Sequence, residues 1–220
     1  MTTTAPFIAH YPRIIGLTGL MGSGKDTIAE ILRKQRNYVP VAFADPLRQE
    51  IMDAFGIPIE VLTDRATKEA ATPQLALSRC RDFDFEACMI NYNKTPLLDM
   101  TLPRSPRWIM QRWGTEYRRA QDPHYWTKAM NRRLSHLSQQ GQCIAVTDVR
   151  FMNEALLVRE HGGYIWQVNR GFTIATPGAH KSETDGGQFW PDRTIDNSGD
   201  LAQLQSRVLA LVPAVTGVTA

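Results

Sequence analysis

Cysteine is scarce in this chain. Cys80, Cys88 and Cys143 are an odd, scattered set with no C-x-x-C spacing. That pattern argues against a disulfide framework or a cysteine zinc site, and predicts reduced intracellular thiols. No apolar run approaches the ~18 residues a membrane helix needs. Residues 1–12 lack a basic start followed by an apolar core, so no secretory leader is expected. Charge of one sign is missing too: 25 Lys and Arg against 22 Asp and Glu leave +3. That is too little to argue for nucleic acid, and it suits small anionic substrates. There is no basic stretch, internal repeat or low-complexity run. The expectation is a cytoplasmic protein with no membrane or nucleic-acid partner; a homodimer stays open.

Hydrophobic residues make up 43 % of the 220, enough for one good-sized core: a single domain, residues 1–220, carrying an insertion. Strands are expected at 13–18, 39–43, 142–147, 164–168 and 193–195. Helices are expected at 25–36, 45–55, 107–119, 123–139, 153–160 and 201–211. Asp45-Pro46, Ser105-Pro106 and Asp122-Pro123 read as helix starts. Trp126, Met130, Leu134 and Leu137 line one helical face. Alternating strands and helices predict an α/β fold with a doubly wound, mainly parallel sheet and helices on both faces. Ligands bind such sheets at the carboxyl ends of the strands. Residues 64–104 have weak periodicity and read as an insertion. Residues 171–192, rich in Gly, Thr and Asp, read as a flap containing His180 and Glu183.

The most informative stretch is Gly19 to Thr27, G-L-M-G-S-G-K-D-T, directly after the apolar Ile14-Ile15-Gly16-Leu17. A buried strand entering a glycine-rich turn with Gly24-Lys25 is a phosphate-cradling P-loop. Gly19, Gly22 and Gly24 let backbone N–H groups converge on an anion; Met21 and Ser23 complete the turn. Lys25 supplies a point charge, and the helix that follows turns its positive end to the phosphates. Ser or Thr usually follows the lysine to reach Mg²⁺; here Asp26 stands there, with Thr27 next. A carboxylate can hold a metal-bound water instead, and Mg²⁺ needs few protein ligands. The departure leans toward a kinase of small acceptors.

Val146-Thr147-Asp148-Val149-Arg150 sets a carboxylate and a guanidinium just past a buried strand. Such an acid commonly holds Mg²⁺ through water, and such an arginine can fork onto phosphate. Arg107, Arg112, Arg118 and Arg119 share one helix with Trp108, Trp113, Gln111 and Glu116. Arg107 and Gln111 lie on one face, and Glu116 lies a turn and a half further along. Cations mixed with aromatics suit a nucleotide, although the tryptophans read equally well as core. Arg170 opens the flap and is a candidate lid cation.

These pieces resemble the phage-type deoxynucleoside monophosphate kinases. Besides the loop, the likeness is carried by F-A-D-P-L-R (43–48), D-R-A-T-K-E (64–69) and S-P-R-W-I-M-Q-R-W-G-T-E-Y-R-R (105–119). It continues in D-P-H-Y-W (122–126), T-D-V-R-F-M-N-E (147–154), N-R-G (169–171), H-K-S-E (180–183) and D-N-S-G-D-L (196–201). The pieces stand in the family's order from residue 13 to about 211.

The resemblance implies the P-loop kinase fold, with an acceptor-side insertion and helices at about 56–140 and a lid at about 170–192. It implies Mg²⁺-dependent transfer of the ATP γ-phosphoryl to a deoxynucleoside 5′-monophosphate, inside a bacterial host cytoplasm if phage-encoded. Lys25, Asp148, Arg150 and Arg170 would be catalytic, with Asp26 and Asp148 holding Mg²⁺ through water. Gly19, Met21, Gly22, Ser23, Gly24, Lys25, Asp26 and Thr27 would bind ATP, and Asn197 would edge the adenine. Asp45, Arg65, Lys68, Arg107, Gln111, Glu116, Trp126, Arg150 and Glu154 would serve the acceptor. Two other readings stay open: a P-loop kinase of another small acceptor such as dephospho-coenzyme A, and a nucleotide-binding regulator without transfer.

Overall fold

The computed structural model describes residues 11–64, 66–92, 98–171 and 190–213. Arg65 and most of the expected flap, with His180 and Glu183, lie outside these. Five strands form one sheet: β1 (Ile14–Thr18), β2 (Tyr38–Val41), β3 (Cys143–Val146), β4 (Tyr164–Asn169) and β5 (Arg193–Asp196). The order is β2-β3-β1-β4-β5, and every pairing is parallel. The central strand β1 is buried along its whole length, as its unbroken apolar run requires. The described helices are α1 (Lys25–Arg36), α2 (Ala44–Phe55), α3 (Glu60–Thr63), α4 (Phe83–Tyr92), α5 (Pro106–Gln111), α6 (Tyr125–Gln139), α7 (Met152–Glu160) and α8 (Leu201–Leu211). None of the described helices is long and apolar enough to cross a membrane.

The chain divides into two compact units. The first holds the sheet with α1, α7 and α8. Its core packs Ile15, Leu17, Ile28, Leu32, Trp166, Val168 and Ile195 against Leu204 and Val208. The second is mainly Ala42–Arg133 and is helical, built around Phe55, Phe85, Trp113 and Tyr117. Phe85 and Trp113 lie 4.5 Å apart, and Trp113 meets Tyr117 edge-on at 5.4 Å.

Most expected elements stand within a residue or two of their places, and α1 and α8 match at both ends. Two differences matter. α2 begins at Ala44, so Asp45 lies inside the first turn, where its carboxylate accepts from the Ala42 N–H at 2.8 Å. The expected helix at 107–119 is two elements: α5, capped by the Ser105 hydroxyl, and a π-helix over Arg112–Arg119. Residues 64–104, read as an insertion, contain α4 and two short 3₁₀ turns.

Gly163 shows how tightly the sheet unit is packed. A Cβ there would lie 2.8 Å from the Val158 carbonyl and 3.0 Å from Ile14 Cβ. Gly163→Ala should therefore lower stability by about 1–3 kcal/mol in urea unfolding, through overpacking against atoms that cannot move aside.

Candidate active site

Parallel strands all end on one edge, and this edge holds the sheet unit's candidate residues. β1 runs into the loop, where Gly19, Gly22 and Gly24 adopt φ of 137°, 76° and 106°. Gly19 also has no room for a side chain, since a Cβ would lie 2.5 Å from the Val168 carbonyl. Gly22 by contrast faces open space. The N–H groups of the first turn of α1 lack intrahelical acceptors by construction. Among the described residues the buried Ser23 Oγ has no hydrogen-bond partner. Converging amides, a spare hydroxyl donor and a lysine fit a polyphosphate anion.

Lys25 Nζ folds back and donates to the carbonyls of Gly19 at 2.6 Å and Leu20 at 2.8 Å. Burial, then the Arg150 charge, lower its pKa to about 8; Asp26 and Asp148 pull the other way. The structure thus gathers Lys25, Asp26, Asp148 and Arg150 into one electrostatic group. The backbone around Asp148 is held by both neighbouring strands, β2 and β1. The Thr147 N–H donates to the Val41 carbonyl at 2.9 Å, and the Val149 N–H to Leu17 at 3.0 Å. Two neighbouring carboxylates beside the loop lysine fit a Mg²⁺ that keeps most of its waters. Arg170 follows the end of β4 and is exposed.

Several expected ligand residues also have structural duties. Glu154 is only 2 % exposed and accepts the N–H groups of Arg150 at 2.7 Å and Phe151 at 3.2 Å. It holds the turn that presents Arg150. Trp126 is buried, and its indole donates to the Gly114 carbonyl at 3.0 Å, so it belongs to the core and not to the acceptor set. Asn197 is buried too; its side-chain amide donates to the Ser23 carbonyl at 2.7 Å. It braces the loop. Across a trans peptide the C=O and N–H point opposite ways, so holding the Ser23 carbonyl aims the Gly24 N–H away from Asn197. A Cβ on Gly24 would meet that amide nitrogen at 2.2 Å.

In the helical unit, the Arg107 guanidinium pairs with Glu69, and its backbone N–H donates to the Lys68 carbonyl at 3.1 Å. Arg112 bonds Glu116 at 2.5 Å and stacks over Tyr92. Gln111 ends α5, one residue before the π-helix. Asp45 pairs with Arg48 at 2.9 Å. Glu69 closes the 64–69 motif, but nothing local in the sequence pairs it with Arg107, and Glu50, which meets Arg118, stood in no motif. Glu50 reads as an ordinary solvated residue until the fold brings its partner.

No protein-family model matches the chain. The glycine loop between β1 and α1 and the parallel sheet are arranged as in P-loop proteins, and the chain has named kinases among its sequence relatives. It is similar, at 28 % identity over 172 residues, to a protein of Acanthamoeba polyphaga mimivirus named "Putative deoxynucleotide monophosphate kinase". That match covers 78 % of this chain and 81 % of the relative. A dephospho-CoA kinase of Synechococcus sp. (strain JA-2-3B'a(2-13)) is 44 % identical over 70 residues, 31 % of this chain and 28 % of that relative's length. Among solved structures, a dephospho-CoA kinase from Campylobacter jejuni has a TM-score of 0.48 at 13 % identity, covering 91 % of this chain and 95 % of its own. The Mycobacterium tuberculosis APS kinase CysC Cys556Ala mutant has a TM-score of 0.40 at 12 %, covering 93 % and 99 %.

The lowered Lys25 pKa has a sign that can be checked. Between about 8 and the ordinary lysine value of 10.5, the free protein has lost a proton that the unfolded chain keeps. Stability therefore gains from Lys25 as pH rises through that window, because the cost of burying the charge is relieved. A bound triphosphate favours the charged form, so ATP affinity should fall as pH rises past about 8, with uptake of up to one proton per ATP. Calorimetry in buffers of different ionisation enthalpy measures this, and Lys25→Met should remove the dependence. Asn197→Ala should weaken ATP binding about tenfold or more, since it leaves the Ser23 carbonyl buried and unpaired at about 1–3 kcal/mol.

Proposed function

We propose that the protein transfers the γ-phosphoryl of ATP to a deoxynucleoside 5′-monophosphate, giving the diphosphate and ADP. The observation that carries this reading is the group around Lys25: loop amides, a lysine, two carboxylates and an arginine at one strand edge. The mimivirus relative and the motif at residues 105–119 support the choice of acceptor.

Phosphoryl transfer asks for positioning and charge neutralisation rather than covalent chemistry. In this reading the loop amides and Lys25 hold the β- and γ-phosphates. Asp148 and Asp26 would hold Mg²⁺ through water, and the ion would there supply neutralisation of phosphate charge. Arg150, held by Glu154, meets the transferred group or the acceptor phosphate. Arg107, with Lys68 and Gln111, serves the acceptor, and Glu69 keeps the Arg107 guanidinium ordered until the acceptor displaces it. Asp45 and Glu116 take up the remaining acceptor contacts, and Arg170 leads the lid. The acceptor phosphate is already ionised near neutral pH, so no general base is needed. Dephospho-coenzyme A is the second reading, favoured by the 70-residue likeness to the cyanobacterial kinase.

Incubation with ATP, Mg²⁺ and each of the four deoxynucleoside monophosphates, or dephospho-coenzyme A, tests the proposal. Diphosphate formation from at least one mononucleotide is expected. Turnover only of dephospho-coenzyme A would transfer the chain to the second reading, and ATP binding without any turnover would make it a regulator. Lys25→Ala should cut kcat by about 10²–10³-fold with the fold intact. Arg150→Ala should raise the acceptor KM and lower kcat while changing ATP affinity much less.

A further inference from the structure

The π-helix over Arg112–Arg119 is a local rule-breaker whose cause is visible in its contacts. Bonding from i to i+5 places residues five apart on nearly the same face. In an α-helix the same pair would be roughly 140° apart. Trp113 and Arg118 are such a pair. Both donate to a single atom, Glu50 Oε2, from the indole Nε1 at 2.8 Å and the guanidinium Nε at 2.8 Å. The other carboxylate oxygen, Oε1, accepts from the Tyr125 hydroxyl at 2.6 Å. Arg118 also reaches Asp82 at 3.6 Å and lies over the Tyr117 ring at 4.3 Å. Asp82 accepts the Tyr117 hydroxyl at 3.0 Å and the Phe85 N–H at 2.9 Å, tying the same segment to the start of α4.

The wider register brings residues 113 and 118 together on one carboxylate oxygen. Gln111 and Glu116 are also five apart, and that register brings them toward one face as well. In a continuous α-helix they would diverge. We propose that Glu50 is a positioning residue that selects the i→i+5 register of Arg112–Arg119, and thereby sets Gln111 and Glu116 side by side for the acceptor nucleotide. Glu50 touches no substrate; it acts through the helix it grips. A charged pair among aromatic rings is costly to desolvate, and its established use is to choose one register over others. The functional half of the inference rests on the acceptor assignment above; the register half does not.

Two measurements on the full-length protein test it: amide exchange over residues 112–119, and steady-state kinetics with both substrates. Glu50→Leu should speed exchange over 112–119 while leaving α1 as protected as before. It should raise the deoxymononucleotide KM at least tenfold and keep the ATP KM within twofold. Glu50→Gln retains a carbonyl acceptor for both donors and should restore the KM to within about threefold of wild type. If Glu50→Leu does not fold, Trp113→Phe removes one of the two donors and keeps the ring; faster exchange over 112–119 and a severalfold higher acceptor KM are then expected. Unchanged exchange over 112–119 in the folded variant would overturn the register claim. Faster exchange with an unchanged acceptor KM, or an equal loss on both substrates, would overturn the positioning role. A wild-type protein that turns over no deoxymononucleotide would defeat the functional reading instead, and the exchange data would still decide the register.

Discussion

The architecture depends on β1 lying between two parallel neighbours, β3 and β4. With no water on either side or face, its residues must be apolar and its backbone fully paired. Parallel pairing also means that what leaves β1, β3, β4 and β5 does so at the same edge. The loop lysine, Asp148, Arg150, Arg170 and Asn197 come from chain positions more than 170 residues apart, and that one geometric fact collects them. The Asn197 amide then joins the last of these turns to the first by a buried hydrogen bond.

Charge at this edge is balanced rather than merely positive. Lys25 and Arg150 repel, and burial adds to the cost of the lysine charge, while Asp26 and Asp148 relieve it. Without a ligand the lysine is satisfied by the carbonyls of its own loop. A polyanion bound at this loop would replace those weak dipoles with full negative charge. The helical unit follows a similar logic. Arg107, Arg112 and Arg118 are each engaged by an acid, Glu69, Glu116 and Glu50 respectively. A guanidinium so held keeps its orientation at lower entropy cost than a free one.

Three of the expected ligand residues carry structural bonds for one physical reason. Glu154, Trp126 and Asn197 are buried, and a buried polar group must find a partner. Each found a backbone group nearby: the N–H groups opening α7, the Gly114 carbonyl, the Ser23 carbonyl. A motif shows that such a residue matters to a site. It does not separate touching the ligand from holding the loop that touches it.

Local rules alone settled the elements of the sheet unit, because an apolar strand, a glycine turn with positive φ and a capped amphipathic helix are each specified within a few residues. The phosphate loop was legible for that reason, as were α1 and α8 to the residue. Tertiary structure decided the rest. Which acid meets which arginine depends on contacts 38 or 68 residues apart in sequence, Glu69 with Arg107 and Glu50 with Arg118. The π-register of Arg112–Arg119 was likewise invisible, since its residues read as one α-helix. Helix periodicity is a property of a segment, whereas a register held by a carboxylate on another helix exists only once both helices have packed.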